Sequence, residues 1–127
     1  MDKDELITYV RETFSAEPDY PFEEEDVFVF RHVSNRKWFA IVMRIPYRRL
    51  GIEKEELADV IDVKCGPLLM DVYRKQQGVF PGYHMNKDNW VTILLDGTAE
   101  SEVIKELLEI SFELTKPKRK HDTSRRL

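Results

Sequence analysis

Cysteine is nearly absent. Cys65 stands alone among 127 residues, so no intramolecular disulfide can form and nothing implies an oxidising compartment. Long hydrophobic runs are missing as well: no apolar stretch approaches the roughly 18 residues that a spanning helix needs. The opening Met1-Asp2-Lys3-Asp4-Glu5 lacks the basic start and apolar run of a signal peptide. These absences set the expectation of a cytoplasmic protein without membrane contact. There is no HxxxH or CxxC pair, and His32, His84 and His121 are scattered along the chain, so no metal site and no cofactor are expected. The stretch Gly78-Val79-Phe80-Pro81-Gly82 lacks a GK[ST] ending, and Pro81 removes a backbone N–H, which excludes a phosphate loop.

What remains is a chain rich in charge. Hydrophobic residues make up 42% and charged residues 35%, the balance of a globular domain with a heavily charged surface. The length suits one domain, read as residues 1–115, followed by a basic flexible tail over 116–127. The net charge of −4 is unevenly spread. Residues 1–115 hold fourteen basic and twenty-three acidic side chains, a balance of −9; the last twelve hold six basic residues against Asp122. So acidic a body does not attract phosphate backbones through its overall field, and nucleic-acid contact must rest on local patches. One such patch is legible. Between Val27 and Ile52 there is no acidic residue, while Arg31, Arg36, Lys37, Arg44, Arg48 and Arg49 all fall inside.

Periodicity supplies the elements. Leu6, Val10 and Phe14 recur at helical spacing over Asp2 to Phe14, and Asp2 with Glu5 forms a plausible capping pair. Val27–Phe30 and Trp38–Met43 read as strands joined by a turn at Ser34-Asn35-Arg36. The second of them is apolar on both faces and so belongs inside the sheet. Val60 to Cys65 alternates, with Ile61, Val63 and Cys65 on one side and Val60, Asp62 and Lys64 on the other. Tyr47 to Asp59 reads as a charged loop or short helix. A second helix over Pro67 to Gln77 would bury Leu68, Leu69, Val72 and Tyr73. An extended run from Val79 to Asn86, a polar turn and a strand from Trp90 to Leu95 follow. A last helix runs from Ala99 to Thr115, capped by Thr98 or Ser101. The order α-β-β-β-α-β-β-α predicts an α+β fold, an antiparallel sheet with helices packed on one side.

No catalytic constellation emerges, and the expectation is a protein that is not an enzyme. Cys65 points with Ile61 and Val63 toward the core, away from any base that could activate it. Asp62 reads as lying on the outward face of its strand and Asp96 as capping a turn before Gly97; nothing in the sequence buries either carboxylate. The region that stands out runs from Pro81 to Trp90. There His84, Asn86, Lys87 and Trp90 gather at a turn between extended segments. Lysine and asparagine can contact phosphates and base edges, and an indole can stack on an unpaired base.

The stretch Phe80-Pro81-Gly82-Tyr83-His84-Met85-Asn86-Lys87-Asp88-Asn89-Trp90-Val91-Thr92-Ile93-Leu94-Leu95-Asp96-Gly97 resembles the signature of the MmcQ/YjbR-like family of small bacterial proteins. Tyr20-Pro21-Phe22, Val29-Phe30-Arg31, Trp38-Phe39-Ala40 and Val63-Lys64-Cys65 agree with it, and the likeness extends from about Leu6 to Lys118. Asn89 stands where the family commonly has histidine, and the Tyr47–Val60 segment is longer than usual. The resemblance implies an α-β(3)-α-β(2)-α fold like that of type III secretion chaperones, and DNA binding through a double-wing arrangement.

Two functional expectations follow. In the first, Arg36 and Lys37 at one hairpin and Lys87 at the other grip DNA phosphates as two wings, with Arg31, Arg44, Arg48, Arg49, His84, Asn86 and Trp90 as further candidate contacts. In the second, a protein partner, a small ligand or a second copy of the chain docks on the sheet face left open by the helices.

Overall fold

The computed structural model describes residues 1–117. The basic tail read from Lys116 onward lies outside these residues beyond Pro117. Helix α1 (Lys3–Phe14) opens with the capping box legible in the sequence: Glu5 N–H donates to the Asp2 side chain, and Asp2 N–H to that of Glu5. Five strands follow, β1 (Phe28–Arg31), β2 (Trp38–Pro46), β3 (Leu57–Lys64), β4 (Val79–Pro81) and β5 (Trp90–Leu94). Helix α2 (Pro67–Tyr73) falls between β3 and β4, and α3 (Ser101–Thr115) closes the domain. All pairings are antiparallel, in the order β1-β2-β3-β5-β4. The predicted order of elements and fold class are those observed.

One sheet face carries the helices. Phe28, Phe30, Ala40, Val42, Ile61, Val63, Val91 and Ile93 pack there against Leu6 and Val10 of α1, Met70 of α2, and Ile104, Leu107 and Leu108 of α3. A bulge where β1 meets β2 lets Phe39 join this side, among Phe14, Phe30, His32 and Phe112. Ser111 locks α3 to the sheet: its buried Oγ donates to Phe39 C=O at 2.6 Å and accepts from Lys64 N–H at 2.9 Å. Cys65 is buried as expected, and burial pushes its thiol pKa up.

Several boundaries differ from the sequence reading. β2 runs on to Pro46 and β3 begins at Leu57, so the charged segment between them shrinks to a 3-10 turn at Tyr47–Leu50 and a short loop. Helix α2 stops at Tyr73, with only Met70 buried; Leu68, Leu69 and Val72 remain exposed. Of the four residues expected on its buried face Tyr73 alone packs against the core, half-buried beside Met70. α3 starts at Ser101 behind Glu100, whose side chain makes no capping bond, rather than behind Thr98 or Ser101. The extended run after Gly78 ends at Pro81.

Candidate functional site

The face opposite the helices is not bare. Tyr47, Leu50 and Ile52 fold back over Ile45, Ala58, Val60 and Leu94, and Phe80 and Tyr83 close the same small cluster. Tyr47 hydroxyl donates to Asp96 Oδ2 at 2.7 Å, while Asp96 Oδ1 accepts from Thr98 N–H, the turn-capping role expected of this carboxylate. The expected open face is therefore reduced to a groove along β2, about 570 Å³ in volume. Ile41, Met43 and Ile45 form its floor, with walls from Phe22, Trp38, Tyr83, His84 and Met85, and Arg49 at one end.

The connection Gly82–Asn89 is drawn onto this face. Tyr83 N–H donates to Thr92 Oγ1 at 2.7 Å, and Lys87 Nζ donates to Gly82 C=O at 3.0 Å. Asn86 shapes the turn: its Oδ1 accepts from Asp88 N–H and its C=O from Asn89 and Trp90 N–H. Lys87 and Asn86, expected as wing-tip contacts, thus brace the connection internally. His84 sits exposed in left-handed conformation (φ 62°), its ring 3.9 Å from that of Tyr83.

Beneath this connection lies a carboxylate that the sequence reading left in solvent. Asp62 does face away from the helices, but it is fully buried. Thr92 Oγ1 donates to its Oδ1 at 2.5 Å, and Oδ2 has no partner among the described residues. Burial pushes its pKa up to about 7, against the opposing pull of the Thr92 bond and the Lys87 charge. What covers it comes from distant sequence, since Thr92 and Tyr83 reach it only through the β3–β5 pairing and the folded-back connection.

The six basic residues of the acid-free segment do not form one patch. β2 is nine residues long, which separates its ends by about 30 Å. Arg44, Arg48 and Arg49 lie at the far end. Arg44 pairs with Asp59 at 3.0 Å, Arg48 pairs with Glu55, and Arg49 faces the groove. Arg31, Arg36 and Lys37 lie at the near end. Arg31 is held by Asp19 at 2.5 Å and rests 5.6 Å from the Trp38 ring centre. Arg36 takes a left-handed conformation in the turn (φ 64°). Among the described residues no carboxylate pairs with Arg36, Lys37, Arg49 or Lys64.

The antiparallel register places both hairpin connections at this near end: β2 begins, β3 ends, β5 begins and β4 ends there. The residues that terminate the strands are Arg31 on β1, Trp38 on β2, Lys64 on β3 and Trp90 on β5. Strand alternation puts Arg31, Lys64 and Trp90 on the groove face, the bulge at Phe39 turns Trp38 to the same side, and all four are half-buried. Cation and indole therefore alternate across four neighbouring strands, with the two indoles about 10 Å apart at the usual strand spacing. Trp38 and Lys64 were missed as candidates. Their signal was present, since Lys64 shares the parity of Asp62 and Trp38 opens its strand, but the row forms only once β5 pairs with β3.

The fold and site define an α+β domain with helices on one sheet face and a groove with an aromatic and basic margin on the other. The YjbR family model matches residues 12–114, and the chain belongs to this family. The uncharacterized protein YyaQ of Bacillus subtilis is 34% identical over 117 residues, covering 91% of this chain and 99% of that one. A crystal structure of a Pseudomonas syringae protein superposes with a TM-score of 0.88 at 42% identity, covering 91% of this chain and all of that one. The Deinococcus radiodurans protein DR2400, crystallised as a DUF419 domain, superposes with a TM-score of 0.68 at 26% identity, covering 98% of this chain and 86% of that one. Among the described residues no helix is long and apolar enough to cross a membrane.

Proposed function

We propose that this domain is a non-enzymatic nucleic-acid-binding module that uses the near end of its groove face and prefers unpaired bases. The observation that carries this reading is the alternation of Arg31, Trp38, Lys64 and Trp90 at the ends of four adjacent strands. Indole faces stack on bases of any sequence, and Lys64 between them, which no described carboxylate pairs, neutralises a phosphate, while Arg31 is held by Asp19. Arg36 and Lys37 on the adjoining turn extend the basic margin. Lys87 contributes by holding the connection in place. With −9 on residues 1–115, the affinity should be modest and steeply salt-dependent.

The test is fluorescence anisotropy of a labelled single strand and of a duplex, titrated with the protein across a salt series. The expected result is tighter binding of the single strand. Loss of one stacked base is worth about 1–3 kcal/mol, so W38A and W90A should each weaken it roughly 5- to 150-fold. Reversing Arg36, Lys37 and Lys64 together should abolish it. No binding at low salt, or affinity indifferent to both tryptophans, defeats the reading.

The groove itself supports a second reading. Its volume of about 570 Å³ falls within the range of small-molecule sites, its floor is apolar, and Arg49 would meet an acidic group on the ligand. A thermal-shift screen of aromatic carboxylic acids tests this, with Met43→Asp and Arg49→Glu expected to remove any stabilisation.

A further inference from the structure

On the opposite side of the molecule, helix α2 turns its apolar residues outward. Leu68 is 93% exposed, Val72 56% and Leu69 39%, and on α3 Leu114 is 48% exposed. These residues are not scattered. Leu114 Cδ1 lies 3.6 Å from where a Cβ on Gly66 would sit, at the start of α2. Tyr73 hydroxyl bonds Glu106 on α3 at 3.2 Å, so the two helices are neighbours. At 100° per residue, Tyr73, Leu69, Val72 and Leu68 follow one another around α2 from its α3 side outward. A depression of about 410 Å³ separates the helices, lined by Tyr73, Ile110 and Leu114 and walled by Glu106, Glu109 and Glu113. Asp71 adds a further acid on α2. Glu113 is paired with Lys116, while Arg74 and Lys75 lie just past the end of α2.

An apolar strip this exposed marks a contact surface, and its rim is acidic. We propose that the α2–α3 face is a docking site for a partner protein that presents a basic amphipathic helix, leucine-type side chains filling the strip and lysine or arginine side chains meeting the Glu106–Glu109–Glu113 wall. Helix-in-groove binding needs these two features, apolar anchors at helical spacing and a charged margin that sets orientation. The same margin disfavours phosphate backbones and anionic lipid headgroups. The surface is separate from the groove face, so both could be occupied together.

The probe is a synthetic 14-residue helix of leucine and lysine with an apolar stripe, alongside its leucine and glutamate counterpart, titrated into the full ¹⁵N-labelled chain. The lysine peptide should shift the amides of Leu68, Leu69, Val72, Ile110 and Leu114, and the glutamate peptide should not. The double variant L68D/V72D alters only exposed positions and should fold normally by circular dichroism. It should weaken binding at least tenfold, E109K should weaken it less, and E24K and W38A should leave it unchanged. Binding that survives L68D/V72D, shifts spread over the whole acidic surface, or no binding would each overturn the proposal. So would a dimer by light scattering that L68D dissociates, since that assigns the face to a second copy of this chain.

Discussion

Replacing Asp62 with asparagine should flatten a pH dependence of stability that the wild-type fold imposes on itself. In the unfolded chain an aspartate ionises near its ordinary value of 3.8, whereas in the fold burial pushes its pKa up to about 7. Between these values the folded state holds a proton that the unfolded state has lost, so stability falls as pH rises through this window. Below it both states are protonated and there is no penalty; above it the penalty is constant. A gap of about three pK units corresponds to a total on the order of 4 kcal/mol. About 3 kcal/mol of this lies between roughly pH 4.5 and pH 8. Asparagine keeps an acceptor for the Thr92 hydroxyl and adds buried N–H donors that cost about 1–3 kcal/mol, but this cost does not change with pH. Urea unfolding of both proteins, followed by tryptophan fluorescence across that range, isolates the effect, because other titrating groups contribute equally to each. The stability of D62N relative to wild type should rise by about 3 kcal/mol from low to high pH. Parallel curves would mean that Asp62 titrates normally, and the inferred sealing of this site would be wrong.

Other consequences are local. Ser111→Ala strands two buried backbone partners, Lys64 N–H and Phe39 C=O, and should lower unfolding stability by roughly 2–4 kcal/mol in urea. Gly82→Ala places a Cβ 2.8 Å from Trp90 C=O, backbone that cannot yield. It should cost about 1–3 kcal/mol and lift the Gly82–Asn89 connection, read as faster amide exchange at Tyr83. His32 is buried against Thr115, its Nε2 2.7 Å from Thr115 Oγ1, and burial holds its pKa below 6.5. Its stabilising share is thus complete above the unfolded pKa and is lost as pH falls through the folded one. His32→Gln should show a stability deficit that narrows as pH drops below about 6.5, and a constant deficit would contradict this.

Local pattern along the chain was enough to place the order of elements, the side of β3 that meets the helices, the α1 capping box, and the turn residues Asn35, Asn86 and Asp96. Each depends on interactions within a few residues, or on the period of a strand or helix, and both are legible along the chain. It did not reveal that Asp62 is buried, because alternation assigns a side chain to a face but not what covers that face. The cover comes from Thr92 on β5 and from the Gly82–Asn89 connection, whose Tyr83 N–H bonds Thr92. Nor did it show that the acid-free run splits between two ends of a nine-residue strand, or that Lys87 folds back onto Gly82. The row of Arg31, Trp38, Lys64 and Trp90 likewise joins four strands that only tertiary pairing sets side by side. The exposure of Leu68 and Val72 has the same origin. Helical period groups apolar residues on a face, but whether that face finds a partner within the chain depends on the packing room left by the rest of the fold, and here Met70 and half-buried Tyr73 fill it.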